Sequence, residues 1–236
     1  MQKSQLNESI RDKKPFDFAI AMRKLRGAVK DDPKAAMFEL ADEGFDSLFE
    51  QLIACMISVR TLEHVTLATA RRLFGVARTP EKMASLSVTD IDDLIRNCTF
   101  HDVKAENIRT IAQTVMQKYG GLMPTEPELV MGFVGVGPKC TNLAVGISSG
   151  HPIGIPVDVH VHRVVNRWGI LETRSPEQTM EQLQEVLPRR YWLEINKLLV
   201  PFGKHICRAA RPACPTCPLL PMCQQVGVKQ TGTPEE

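Results

Sequence analysis

Cys207-Arg208-Ala209-Ala210-Arg211-Pro212-Ala213-Cys214-Pro215-Thr216-Cys217-Pro218-Leu219-Leu220-Pro221-Met222-Cys223 holds four of the chain's seven cysteines. Their spacing is C-x6-C-x2-C-x5-C. Soft thiolates concentrated in this way form a metal site, suited to an iron–sulfur cluster or to zinc. Structural zinc sites usually join two tight cysteine pairs through a longer insert. Here one tight pair, Cys214 and Cys217, is flanked by single ligands on two loops, which can wrap a bulky cubane. The spacing therefore points to a [4Fe–4S] cluster ahead of zinc. The other cysteines, Cys55, Cys98 and Cys140, lie scattered in apolar helical stretches.

Working outward, the chain of 236 residues is long enough for one large or two small domains. Hydrophobic residues at 43% and charged residues at 24% are ordinary for a globular protein, and aromatics are sparse at 6%. The net charge of +2 says little about nucleic acid, but its distribution says more. From Arg189 to Arg211 there are seven basic side chains, counting His205, against one acid, Glu194. A basic stretch that leads into a metal loop suits phosphate contact, with Lys204, Arg208 and Arg211 as candidates. The N-terminal stretch is polar, has no apolar core and does not read as a signal or transit peptide. No apolar run approaches membrane-spanning length. Free thiols with a metal quartet fit a reducing compartment.

Helical periodicity dominates the remainder. Residues 1–14 read as a disordered lead, and a helix follows with Phe18, Ile20, Met22 and Leu25 among its apolar positions. Leu48, Phe49, Leu52, Ile53, Met56 and Ile57 share one helical face, with Asp46 as the expected N-cap. Further helices are expected over Val65–Phe74, Asp90–Arg96 and Lys104–Tyr119, the last stopped by Gly120-Gly121. Another spans Val157 to Trp168. Ser175-Pro176-Glu177-Gln178 reads as a capping box. The last helix covers Tyr191 to Phe202 and ends at Gly203. No stretch shows sustained strand alternation.

Residues 125–147 read as helix–hairpin–helix, with Thr125 and Glu128 as the capping box of the first, short helix. The turn is Val134-Gly135-Val136-Gly137-Pro138-Lys139, and Pro138 opens the second helix. Gly135 and Gly137 let backbone approach another surface, and N–H groups at a helix start can hold a phosphate. Such a grip positions DNA without reading its sequence.

The cysteine spacing and this hairpin resemble the endonuclease III family of DNA glycosylases. The family's hairpin signature is Leu-Pro-Gly-Val-Gly-x-Lys. This chain keeps both glycines and the lysine, and departs from it at Phe133 and Val134. The run Val157-Asp158-Val159-His160-Val161-His162-Arg163-Val164 resembles the family's Val-Asp-x-His-x-x-Arg-Val. The segment joining Lys139 to Asp158 is about one residue longer than the family pattern, around Ser148-Ser149-Gly150-His151.

The resemblance implies an all-α, two-domain helix–hairpin–helix DNA glycosylase fold. A six-helix barrel would cover 41–152, and 15–40 with 153–236 would form a discontinuous iron–sulfur domain. It implies a bifunctional DNA glycosylase and AP lyase for oxidised pyrimidines, acting through a lysine Schiff base and β-elimination. Lys139 would be the nucleophile; burial and the positive helix end both disfavour its ammonium form. Asp158 would be the second catalytic residue. Arg60 matches a polar wedge, Phe100 an apolar wedge and His160 a DNA-facing histidine, because enzymes that flip a nucleotide must fill the gap. Cys207, Cys214, Cys217 and Cys223 would hold the cluster. The implied partner is double-stranded DNA with damaged bases or abasic sites, bound by a monomer in the cytoplasm, at the nucleoid in a bacterium. A monofunctional mismatch or adenine glycosylase of the same superfamily is the first alternative, although such enzymes typically lack the lysine. A non-catalytic DNA-binding or redox-sensing module is the second.

Overall fold

The computed structural model describes residues 13–228, and most of the expected disordered lead lies outside them. Lys13 and Lys14, its last two residues, are tied down. Lys13 Nζ donates to the Leu220 carbonyl at 2.8 Å, and Lys14 N to the Pro221 carbonyl at 2.9 Å. Among the described residues there are helices, turns and loops but no strand. Two compact units form. One joins the N-terminal segment up to Pro33 to the chain from Val157 onward, and the other is Lys34–Pro156. These borders differ from those read in the sequence. Helix α2, Ala36–Asp42, belongs to the second unit because it packs on that unit's own helices.

In the 34–156 unit the central element is α3, Leu48–Ser58. Every residue from Phe49 to Ile57 is buried, so this helix has no polar face. Its two internal polar residues find partners, except that Gln51 Oε1 is buried without one. Gln51 Nε2 donates to the carbonyls of Met37 and Phe45 at 3.1 and 2.6 Å. Glu50 accepts from Arg78 Nε at 2.6 Å and closes a capping box with Ser47. Ser47, rather than Asp46, is thus the N-cap. Its hydroxyl reaches the N3 amide, and Glu50 reaches back to the Ser47 amide.

Around α3 run α4 (Glu63–Val76), α5 (Pro80–Ser85), α6 (Val88–Ile95) and α7 (His101–Tyr119). Gly120, at φ 61°, ends α7 in the left-handed region, where glycine costs least. The hairpin follows as α8 (Pro127–Met131) and α9 (Pro138–Ser149), with α9 packed along α3. The capping box expected from Thr125 and Glu128 does not form. Glu126 is the N-cap, without a side-chain bond to the helix.

The other unit contains α1 (Phe18–Ala28), α10 (Val159–Trp168), α11 (Pro176–Val186) and α12 (Glu194–His205). Met22, Leu25, Val161, Val164, Val165, Trp168, Leu199 and Phe202 form its core. Phe16 stacks on Trp168 with ring centroids 4.8 Å apart. Ser175 caps α11 through the Gln178 amide, but Gln178 returns its side chain to Arg174 N and leaves the box half made. Helix α12 does not stop at Gly203. It runs to His205, and Gly203 serves a packing need instead: a Cβ there would lie 2.7 Å from His160 Nδ1.

Candidate functional site

In the 34–156 unit the hairpin turn places Lys139 in the first turn of α9. Gly135 has φ 74°, and a Cβ there would lie 2.8 Å from Asn107 Nδ2. Glycine is therefore needed for backbone sign, and a Cβ would also oblige the Asn107 side chain to shift. Gly137 is the N-cap of α9, with extended backbone and no side-chain cap bond, and a Cβ there would meet open space. The helix start thus has no side chain of its own covering it, the arrangement suited to an anion. Of the two departures from the family signature, Phe133 is buried edge-on to Tyr119 at 6.3 Å, and Val134 is exposed. Lys139 is half-buried, and its Nζ donates to Cys55 Sγ at 3.1 Å.

Arg60 and Phe100 meet in the same unit. Both are non-glycine residues in the left-handed region, at φ 55° and 57°. The Arg60 guanidinium lies 5.7 Å from the centre of the Phe100 ring. Phe100 is also the N-cap of α7 and is 52% exposed. Left-handed backbone costs such residues roughly 1–3 kcal/mol each and persists only where the surroundings impose it.

The imposing group is Lys104, which sequence reasoning missed as a site residue. It is only 7% exposed, and Nζ donates to the Ile57 and Val59 carbonyls at 2.8 Å each and to Thr61 Oγ1 at 3.2 Å. Thr61 Oγ1 also accepts from Thr99 N at 3.2 Å, which links the Arg60 turn to the Phe100 turn. Burial lowers the Lys104 pKa. The available signal was a lysine placed one turn into a helix whose neighbours Ala105 and Ile108 are core residues.

In the other unit, Asp158 is the N-cap of α10. Its Oδ1 accepts from the amides of His160 and Val161, both at 2.9 Å. The cap uses Oδ1 alone, so the carboxylate is held in place with its second oxygen outside the cap. His160 is half-buried against Gly203, and burial holds its pKa below the usual value. Its Nδ1 lies 3.2 Å from Arg163 Nη2. A guanidinium can only donate, so Nδ1 accepts and Nε2 carries the ring proton.

Cys207, Cys214, Cys217 and Cys223 all line one cavity, floored by Trp168, Phe202 and Leu220. Yet no three of them, nor any other such group among the described residues, are close enough to hold a single metal ion. Four soft donors lining one cavity are a ligand set suited to an iron–sulfur cluster or to zinc. Cys217 and Cys223 are pushed up as thiols, mainly by burial, Cys223 to about 11. A metal beside such thiols favours their thiolate form.

The loop is braced by α10. Arg167 donates to the Arg208 and Ala209 carbonyls at 2.7 Å each, and Arg163 Nη2 to the Gly203 carbonyl at 2.9 Å. Both arginines also reach the Cys207 carbonyl. Their i, i+4 spacing between Asp158 and the cysteine run was the signal for this role, and it was overlooked. Arg208 and Arg211 are exposed, with Arg208 Nε donating to the Arg211 carbonyl at 3.1 Å. Lys204 is half-buried, and burial lowers its pKa.

These features are those of a DNA-repair fold. Residues 53–189 match the description "HhH-GPD superfamily base excision DNA repair protein", and the chain belongs to that family. Endonuclease III of Thermotoga maritima is 38% identical over 166 residues, spanning 70% of this chain and 78% of that protein. A solved non-covalent endonuclease III–DNA complex matches with a TM-score of 0.76 at 28% identity, covering 87% of this chain and 92% of the other. A trapped endonuclease III–DNA covalent intermediate matches with a TM-score of 0.71 at 30% identity, covering 80% and 93%.

Proposed function

We propose that this chain is a base-excision repair enzyme, a bifunctional DNA glycosylase and AP lyase acting on oxidised pyrimidines in duplex DNA. The observation that carries the reading is Lys139, delivered by the Gly135–Gly137 turn to the uncapped start of α9. A primary amine at C1′ expels the base and forms a Schiff base, after which β-elimination nicks the strand on the 3′ side. Asp158 supplies a fixed carboxylate that steadies positive charge developing on the sugar. Gly135 and Gly137 admit the phosphate backbone, and Arg60 and Phe100 fill the gap left by a flipped nucleotide. Nε2 of His160, together with Lys204, Arg208 and Arg211, adds contacts to the duplex.

We further infer that Cys207, Cys214, Cys217 and Cys223 hold a [4Fe–4S] cluster. The shared cavity and the soft donor set support it. The cluster, when bound, would serve a structural role. The chain's own part is to present the basic Arg208–Arg211 turn on a fixed scaffold, with Arg163 and Arg167 holding its carbonyls.

The deciding experiment is borohydride trapping on a panel of duplexes bearing single lesions or an abasic site. Covalent linkage that is lost in Lys139→Ala supports the lysine mechanism. Base release without any trapping would mean a monofunctional glycosylase, and tight duplex binding with neither would mean a binding module.

A further inference from the structure

Cys55 and Cys140 are not part of any metal loop, yet the fold brings both to the amine of Lys139. Cys55 comes from the centre of α3 and is fully buried; Cys140 comes from the first turn of α9 and is 5% exposed. Lys139 Nζ donates to Cys55 Sγ at 3.1 Å, and Cys140 has the largest influence on the same thiol, lowering its pKa. Ser58 donates its hydroxyl to the Cys55 carbonyl at 2.6 Å. The Cys55 sulfur therefore accepts from Lys139 and is influenced by Cys140, both at the start of α9.

We propose that Cys55 is the proton acceptor for Lys139, a catalytic thiol of the Schiff-base step, and that Cys140 positions it. The inference rests on Lys139 being the nucleophile. An ammonium has no electron pair to give, so Lys139 must lose a proton before it attacks. In the proposed step an N–H bond of the ammonium breaks, its electron pair stays on nitrogen, and the proton forms an S–H bond on the Cys55 thiolate. Both charges vanish. The amine then adds to C1′ of the open sugar; amine, aldehyde and one proton yield an iminium and water.

The surroundings favour this direction of transfer. A thiolate–ammonium pair needs hydration that a dry pocket withholds, whereas a neutral thiol–amine pair loses little there. DNA covering the half-buried lysine dries the pair and moves the proton to sulfur. The electrostatics are consistent with these roles. The Cys140 hydrogen bond, and then the Lys139 charge, hold the Cys55 thiol below its ordinary pKa against the opposing effect of burial. Cys140 itself is driven up, first by its bond to Cys55 and then by burial, so it stays a thiol and remains the donor. Lys104 of α7 acts on Cys140 from the other side and opposes that rise, while Cys98 acts on Lys104.

The test is cyanoborohydride trapping in single turnover on a duplex with one abasic site, from about pH 6 to about pH 10, the span of the thiol and amine titrations. Linkage is read rather than cleavage, because abasic DNA breaks spontaneously in alkali. Cys55→Val is expected to move the acid limb up by about one pH unit or more, which is about tenfold slower trapping near neutrality, with rates converging at the alkaline end. Cys55→Ser should move it the same way, because a hydroxyl does not ionise in this range. Cys140→Ala should give a smaller shift in that direction. Profiles that superimpose on wild type would overturn the proposal. So would a loss of the same factor at every pH, which is what a packing role predicts. Cys55→Ser, checked by melting and duplex affinity, decides the matter if the valine variant does not fold. Wild-type protein that never traps would overturn the lysine mechanism itself, and the thiol's role with it. That failure is distinct from wild type trapping with an unchanged Cys55 profile.

Discussion

The Arg60 and Phe100 turns of the 34–156 unit and the cysteine loop of the other unit are both short, irregular segments held in one shape, but by different means. In the first, the left-handed Arg60 and Phe100 are held by the buried Lys104 amine, which satisfies the carbonyls around Arg60. The cysteine loop has two buried apolar residues of its own, Leu219 and Met222, and is held from outside by Arg163 and Arg167 and by the N-terminal Lys13 and Lys24. A loop next to a full core can be fixed by one interior group. A loop with little core needs tethers and, by the reading above, a metal cluster.

The largest effect that would sharpen this contrast comes from removing a cluster ligand. Cys217→Ala should abolish the visible absorbance and acid-labile sulfide of purified protein, and protease should then cut within 207–223. Colourless wild-type protein with one zinc per chain would instead end the cluster reading. In the other unit, Lys139→Ala should abolish trapping entirely at a stability cost of about 1 kcal/mol or less, the loss of its bond to buried Cys55. A larger loss of stability, read by thermal melting, would show the lysine to be structural.

Lys104→Met should have an intermediate effect. It removes three donated bonds and leaves buried carbonyls unpaired, at about 1–3 kcal/mol. Preference for lesion-bearing over intact duplex should fall with it. Unchanged stability would mean that Lys104 does not hold the turn. Asp158→Asn separates charge from capping, since asparagine caps helices as well as aspartate does. Melting should be almost unchanged and base release strongly slowed, with cleavage of a ready-made abasic site less affected. The smallest effect is Arg60→Gly, expected to raise stability by up to about 1 kcal/mol through relief of the left-handed strain while weakening lesion binding. A fall in stability would show that the Arg60–Phe100 contact outweighs the strain.

Local patterns were legible because they depend on spacing along the chain. The apolar stripe of α3, the glycine stop of α7, the N-cap Asp158 and the cysteine spacing all follow from neighbours within a few residues. Errors came where two local signals competed. Asp46 and Ser47 both can cap α3, and only the Ser47–Glu50 pairing completes a box. Gly203 reads as a helix stop, but the close approach of His160 is what demands glycine there.

By itself the sequence determined an all-helical chain, a hairpin carrying a lysine, an aspartate at a helix start and a four-cysteine loop. Each of these is written in residues close together and governed by helix periodicity, turn chemistry or ligand spacing. The tertiary structure alone decided that Cys55 and Cys140 meet at Lys139, that Lys104 spans Ile57 to Thr61, and that Arg163 and Arg167 brace the cysteine loop. The hydrogen-bonded partners are separated by 40 to 84 residues, and no local periodicity encodes which of them meet. Burial of the apolar faces brings the helices together, and the polar groups carried inside must then find one another.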